Sequence, residues 1–368
     1  MELKPIYKDE RNTSIDIIRG VALFGILLVN MPSFDQNHFG ASYLGIDAFI
    51  RLSYDLFIQQ KFYPIFSFLF GLGFYIFMSR AEYRGQQNIY FLFTRRLLVL
   101  LLFGIIHQMI WHGDILKKYA IYGFILIPFY RRRTRTILLF AFVLTLVYLI
   151  MMNKIDIGIH FEPMFSMPIL IMLLLGVYAG KKQILINISN NLNLIYSIQI
   201  ISFVISIPTL YAILREFLSR PEYSFYFVNS EIVAFSGIPL SIFYISTFIL
   251  LLERKFFLRI LKPIGYVGRM SLTNYILQTL IGLTLVKIFK MDLNISMLKD
   301  LFLAIIIYVV QIGLSFLWIR KFQYGPLEKL WRFLTYSPMF GAATRKSSGQ
   351  TISSVEPINN KQTKNHKV

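Results

Sequence analysis

The sequence has no cysteine, so disulfides, thiol catalysis, iron–sulfur clusters and thiolate zinc sites are excluded. Charge is scarce as well: 15% of the 368 residues are Asp, Glu, Lys or Arg, against about 25% in soluble domains. Acidic residues are the scarcer sign, 19 against 38 basic ones, which leaves a net charge of +19. No internal repeat is evident, which counts against an inverted-repeat transporter. The first apolar run continues into a full span without an A-x-A-like exit, so no cleavable signal peptide is expected. What is abundant is apolar: 56% of the chain is hydrophobic, with 35 Phe and 22 Tyr. That balance suits lipid-facing surface and interfacial aromatic belts rather than a water-soluble domain.

A helix that crosses a bilayer needs about 20 mostly apolar residues. That length gives spans near 15–34, 62–78, 97–111, 115–130, 136–151, 164–180, 193–213, 231–252, 265–287 and 300–319. The expected fold class is all-α, a polytopic transmembrane helix bundle of about ten spans. Segment 42–60 mixes charges with apolar residues at helical spacing and reads as an interfacial or re-entrant helix. With the N-terminus inside, 26 Lys and Arg fall in inner segments and 10 in outer ones, Arg51 and Lys61 among the latter. The positive-inside rule then favours N-in/C-in and a multi-pass place in the bacterial plasma membrane. Inner cations facing anionic headgroups account for the net charge, so the expected partner is the lipid bilayer and not nucleic acid. Residues 1–14 form a cytoplasmic segment, 15–336 the membrane domain, and 337–368 a polar cytoplasmic tail that reads as disordered.

Polar side chains inside spans are costly and are the default place to look for function. In the first span Asp16 and Arg19 are three residues apart and can pair across a turn. Arg19 and Asn30 are eleven apart, so they share a face about 16 Å apart along the axis. This is either a structural ion pair plus an interhelical hydrogen bond, or a polar track along one helix. Next come His107, His112 and Asp114. The near-neutral pKa of imidazole suits His107 to general-base work, with Asp114 to orient it; alternatively Asp114 is an N-cap for the run that follows. His107 and His112 sit about 140° apart on a helix, so no metal site is expected. In the ninth span Ser271, Asn274 and Gln278 line one face, as interhelical glue or as a substrate-lining stripe, with Arg269 just before them. Asp16 is the one carboxylate that reads as plainly buried. Gly71 and Gly73 suit close helix packing better than a nucleotide loop. Gly325-Pro326-Leu327-Glu328 through Trp331-Arg332 reads as a short amphipathic helix at the inner interface.

Taken together these stretches resemble the YeiB family of bacterial membrane proteins (domain of unknown function 418). The matching residues are Asp16 through Arg19-Gly20 to Asn30, Lys61-Phe62 through Gly71 and Gly73, and His107 through Gly113-Asp114 to Tyr119-Ala120. Gly268-Arg269-Met270-Ser271-Leu272-Thr273-Asn274-Tyr275 and Gly325-Pro326-Leu327-Glu328 to Trp331-Arg332 complete the set. The resemblance implies a distant relation to transmembrane acyltransferases, which pass an acyl group from cytoplasmic acyl-CoA to an acceptor on the far side. Those enzymes usually carry His where this chain has Asn30. An amide can bind an oxyanion but cannot take a proton, which moves the role of base to His107. The expectation is an acyltransferase with His107, Asn30 and Asp114 catalytic and Arg19, Arg269, Ser271, Asn274, Gln278 and His112 binding substrate. Acyl-CoA is its co-substrate, an envelope glycan or lipid its acceptor, and no resident cofactor or metal is expected. A small-molecule transporter or exporter, or a non-catalytic membrane protein, are the alternatives.

Overall fold

A computed structural model describes residues 12–35, 38, 41–152, 162–185, 188–219, 223–224, 230–288 and 296–336. Thirteen α-helices account for nearly all of these. They are α1 (Thr13–Ser33), α2 (Gly45–Phe57), α3 (Phe62–Tyr83), α4 (Ile89–Ile110), α5 (Leu116–Leu126), α6 (Thr134–Met152) and α7 (Glu162–Lys181). Then come α8 (Ile188–Leu218), α9 (Ser230–Leu252), α10 (Lys255–Arg269), α11 (Ser271–Ile288), α12 (Met297–Lys321) and α13 (Pro326–Tyr336). Two two-residue strands, β1 (Ser42–Tyr43) and β2 (Tyr223–Ser224), pair antiparallel and tie the loop after α1 to the loop after α8. The tail at 337–368 and residues 1–11 lie outside the described residues.

Among the described residues seven helical stretches are long and apolar enough to cross a membrane. They are α1, the nearly continuous α2–α3 run, α4, α6, α8, α9 and α12. The central helix is α1, with 61% of its apolar window buried inside the protein against 17% for α8. Glycines let the backbones close in around it. A Cβ at Gly268 would collide with the carbonyl of Asp16, joining α10 to α1, and Gly71 and Gly176 bring α3 and α7 equally close. Asn12 opens α1 with its side-chain oxygen accepting from the amides of Ser14 and Ile15.

The helix α2 is turned inside out relative to a soluble amphipathic helix. Arg51 and Asp55 are 5% and 0% exposed, whereas Ile46 and Phe49 are each 62% exposed. Charge inward and apolar side chains outward is the arrangement for a helix whose solvent is hydrocarbon. Arg51 and Lys61 are therefore buried charges and not outer-loop cations.

Three further expectations change. The ninth span breaks at Met270, which adopts φ −112°, ψ 36° and separates amphipathic α10 from α11. The third begins earlier, at Ile89, so Arg95 and Arg96 lie within a helix. Asp16 is also not alone, because Asp35, Asp55, Asp114 and Asp300 are buried too.

Candidate functional site

Two cavities lie in series along α1. The larger, about 250 Å³, is lined at one end by Arg19, Arg96, Arg269 and Arg332, with Glu328 and Ser271 beside them. Its interior is apolar and aromatic, with Leu23, Leu69, Phe70, Phe74, Phe93 and Tyr119 among its walls. Arg19 pairs with Asp16 at 3.0 Å across a helix turn. The arginines come together because α13 is clamped into the bundle. Glu328 accepts from the amides of Leu272 (2.7 Å) and Thr273 (3.1 Å), capping the N-terminus of α11 where the chain breaks at Met270. Its second oxygen accepts from the Thr273 hydroxyl at 2.6 Å. Trp331 donates through its indole to the Arg96 carbonyl at 2.9 Å, and the Arg96 guanidinium lies 3.9 Å over the same ring. Trp331 is thus half-buried at the mouth.

The smaller cavity, about 90 Å³, is lined by Asn30, Gln60, Tyr63 and Gly113 together with apolar neighbours, and none of its lining residues is charged. It shares Ile26, Ile115 and Tyr275 with the larger one. Gln60, in the left-handed region at φ 68°, accepts from the Tyr63 hydroxyl at 2.8 Å.

Beside this second cavity stands His107, 1% exposed. The turn that holds it is tight because Gly104 lets α4 press against the backbone of Lys117 at the start of α5. His107 Nδ1 is 2.7 Å from Asp114 Oδ1, and Asp114 Oδ2 accepts from the Lys117 amide at 2.8 Å. Asp114 thus orients the histidine and caps α5 at once. A carboxylate on Nδ1 selects the tautomer with its lone pair on Nε2, and that nitrogen has no hydrogen-bond partner among the described residues. His107 lines neither cavity. Its ring lies 5.0 Å from that of Tyr275, which lines both.

The remaining expected site residues divide. Arg269 and Ser271 line the larger cavity. Asn274 and Gln278 do not line either one: Asn274 Nδ2 donates to Ser315 Oγ at 2.9 Å and Gln278 Nε2 to Gln311 Oε1 at 2.8 Å. Their stripe faces α12, because unpaired amides on a buried helix take the nearest polar partners. His112 lies exposed on the turn after α4 and lines neither cavity, although its neighbour Gly113 lines the smaller one. The sequence signals for Arg96, which precedes the expected third span, and for Tyr275, Glu328 and Arg332, which stand within the family-like stretches, do not single these residues out as lining the cavity.

Nor does the sequence single out a buried polar network at the far end of α1. His38 Nε2 is 2.9 Å from Asp300 Oδ2 and its Nδ1 is 2.6 Å from the Tyr43 hydroxyl. Burial, reinforced by Asp300 and opposed by Arg51, holds the Tyr43 pKa well above its ordinary value, so the phenol keeps its proton. Arg51 forks onto Asp55 through Nε (3.1 Å) and Nη2 (2.8 Å), and the Lys61 ammonium donates to the Asp55 carbonyl at 2.6 Å. The spacing that signals it, Arg51 to Asp55 on one turn of α2, is visible in the sequence. Its partners on α12 and in the loop after α1 are not.

A family model described as a protein of unknown function, DUF418, matches residues 179–338, a range that includes the α10–α11 break and α13. The chain is 34% identical to an uncharacterized 39.9 kDa protein in the amylase 3′ region of Bacillus acidopullulyticus, across 94% of this chain and 100% of that one. It is 30% identical to the uncharacterized protein YxaH of Bacillus subtilis (strain 168), covering 91% and 96%. It is 27% identical to the uncharacterized protein YeiB of Escherichia coli (strain K12), covering 92% and 100%.

Proposed function

Because the chain belongs to the DUF418 family of YeiB-type membrane proteins, we propose that it is a transmembrane acyltransferase. On this reading it takes an acyl group from cytoplasmic acyl-CoA and delivers it to a glycan or lipid acceptor at the outer face of the plasma membrane. The observation that carries the reading is the pair of cavities in series: an arginine-lined, apolar chamber and then an uncharged one. Guanidinium groups suit phosphate, the apolar walls suit an acyl chain, and the amides of Asn30 and Gln60 suit an acceptor hydroxyl.

The topology that goes with this is ten spans, N-in/C-in: α1, α3 to α9, α11 and α12, with α2, α10 and α13 as membrane-embedded or interfacial helices. Four arginines at the inner mouth agree with the positive-inside rule. From Leu116 to Phe129, α5 and its 3-10 extension rise only about 22 Å, short of the roughly 30 Å hydrocarbon core. The His107–Asp114 turn therefore sits below the outer surface, where an acceptor is shielded from bulk water. Arg19, Arg96, Arg269 and Arg332 hold the donor's phosphates. Asn30 donates to the developing oxyanion. His107, held by Asp114, takes the acceptor proton through Nε2 once the Tyr275 ring turns aside; the acceptor oxygen bonds to the acyl carbon, the thioester C–S bond breaks, and the proton passes to the departing CoA sulfur.

The test is label transfer. Membranes carrying the protein, given acetyl-CoA labelled in the acetyl group, should mark an envelope acceptor, and His107→Ala should abolish the mark. Absence of any donor binding to purified protein, or full transfer by His107→Ala, overturns the reading. Reporter fusions at Arg133 and His112 should fall on opposite sides of the membrane; both on one side would refute the topology.

One observation favours a second reading, transport of a phosphorylated solute. The break between α10 and α11 sits at the mouth, and interrupted helices are where secondary transporters bind substrate. Against it, the freed amides at the start of α11 are already taken by Glu328. Flux into proteoliposomes without an acyl donor would decide for transport.

A further inference from the structure

We propose that α10 carries a docking site for anionic phospholipid, at the bilayer surface nearest the Arg19 end of α1. The site stands apart from the acyl-donor reading and does not depend on it.

The helix α10 runs 15 residues, Lys255–Arg269. That is about 22 Å, too short to cross the roughly 30 Å hydrocarbon core. It meets α1 at Asp16, Ile17 and Gly20, which lie against Gly268, Gly265 and Ile264. Those positions are roughly 5–10 Å from the first residue of α1, the depth at which interfacial helices settle.

Three faces divide its surface. Leu258, Leu261, Gly265 and Gly268 form the first, turned toward the protein. The leucines pack on the core that includes Ile15, Ile17 and Ile18, and the glycines admit α1. Lys255, Arg259 and Lys262, at i, i+4 and i+7, form the second, and all three are exposed. Phe256, Ile260 and Pro263 repeat that spacing one residue later, about 100° round the helix. Phe256 is 67% exposed and Ile260 55%. A helix facing only hydrocarbon would not carry the cations, and one facing only water would not leave Phe256 and Ile260 uncovered. The boundary between headgroups and acyl chains suits both faces at once.

The charge of the second face is unanswered within the protein. The stretch 253–269 holds five basic residues and one acidic, Glu253. Among the described residues none of Lys255, Arg259 and Lys262 has an ion-pair partner. A zwitterionic headgroup brings its own cation and an anionic one does not, so lipid of the phosphatidylglycerol kind is the better match. Bound there, it steadies a helix whose last residue, Arg269, lines the larger cavity.

Hydrogen exchange and thermal stability of the purified full chain in a neutral detergent, with phosphatidylglycerol or phosphatidylcholine added, test this. Phosphatidylglycerol should raise the melting temperature and the amide protection of α10 up to the break at Met270; phosphatidylcholine should do so only weakly. Replacing Lys255, Arg259 and Lys262 together by Gln should weaken phosphatidylglycerol binding by about two orders of magnitude, each cation being worth about fivefold. All three side chains are exposed, so the variant should fold. Replacing Arg132, Arg133 and Arg135, exposed cations at the start of α6, by Gln should leave the binding unchanged.

Equal protection by the two lipids, or a phosphatidylglycerol response that survives the α10 triple variant, would overturn the site. Loss of the response in both triple variants would overturn it as well, by marking a general surface charge. Loss in Arg19→Ala but not in the α10 variant would place the lipid in the larger cavity instead. Soluble glycerol phosphate giving the same protection would show a phosphate site that needs no lipid, and would also overturn the proposal.

Discussion

Two short helices, α2 and α13, stand at opposite ends of α1 and perform the same mechanical task. At one end Asp47 of α2 caps α12, its Oδ1 accepting from the Leu298 amide at 2.9 Å and the Ser296 hydroxyl at 3.1 Å. At the other Glu328 of α13 caps α11. Beyond the caps the two ends diverge. The charges of α2 and its surroundings satisfy one another: Arg51 with Asp55, Lys61 with the Asp55 carbonyl, His38 with Asp300. The arginines beside α13 also have neighbours, Arg19 with Asp16 and Arg96 over the Trp331 ring, but they line an open chamber. Charge walled in with its partners holds a fold together, whereas charged groups that line a cavity are positioned to meet a ligand. The α2 end should therefore fail by unfolding and the α13 end by losing affinity.

The largest effect should come from Asp55→Ala. It leaves the 5%-exposed Arg51 without its bidentate partner, and an uncompensated buried charge costs about 3–5 kcal/mol. The unfolding midpoint in detergent should fall steeply, or the chain should fail to accumulate, while any folded fraction binds acyl-CoA normally. A stable Asp55→Ala protein that has lost donor binding would reverse the comparison.

Glu328→Ala should come second and act on both properties. It strips two amides and one hydroxyl of a charged acceptor, a loss of about 1.5–3 kcal/mol for a charge-assisted contact. It also loosens the start of α11, where Ser271 lines the mouth. Both the melting curve and the acyl-CoA titration should shift. Stability loss with unchanged donor affinity would show α13 to be a clamp alone.

Arg19→Ala should be milder in stability and sharper in function. Its side chain is 23% exposed and its pairing with Asp16 is a helix-turn contact, worth about 0.2–0.5 kcal/mol. A guanidinium on a phosphate is worth more, so acyl-CoA affinity should drop by about tenfold or more. Equal affinity in the variant would take Arg19 out of the donor site.

How much of this was legible in the sequence follows from which partners lie close along the chain. The apolar helices, the Asp16–Arg19 pair, the His107–Asp114 hairpin and the helix at 326–336 depend on local spacing, and each can be read from one segment. The network at the α2 end joins residues as far apart as His38 and Asp300, so no window along the chain contains it. Counting Arg51 and Lys61 as solvent cations failed because hydropathy records that a charge is present without recording which way it faces. The break at Met270 was hidden for a similar reason: its cause, Glu328, lies 56 positions from Leu272. The stripe Ser271, Asn274, Gln278 was visible as a stripe. Only the packing of α12 separates Ser271 at the chamber from the two amides behind it.

That separation gives the smallest and most discriminating prediction. Gln278→Leu removes the bond to Gln311 but also removes a buried oxygen, Gln278 Oε1, that has no partner among the described residues. Gln311 keeps its bond to the Asn274 carbonyl at 3.0 Å. Interhelical amide bonds in membranes average about 0.6 kcal/mol, so the loss and the relief should nearly cancel. The melting temperature should barely move and acyl-CoA affinity should not change at all. A clear loss of affinity would mean that the polar face of α11 borders a ligand path after all, on the side turned toward α12. The α13 end would then be the entrance to a longer conduit than the two chambers along α1, and transport through it would become the stronger reading.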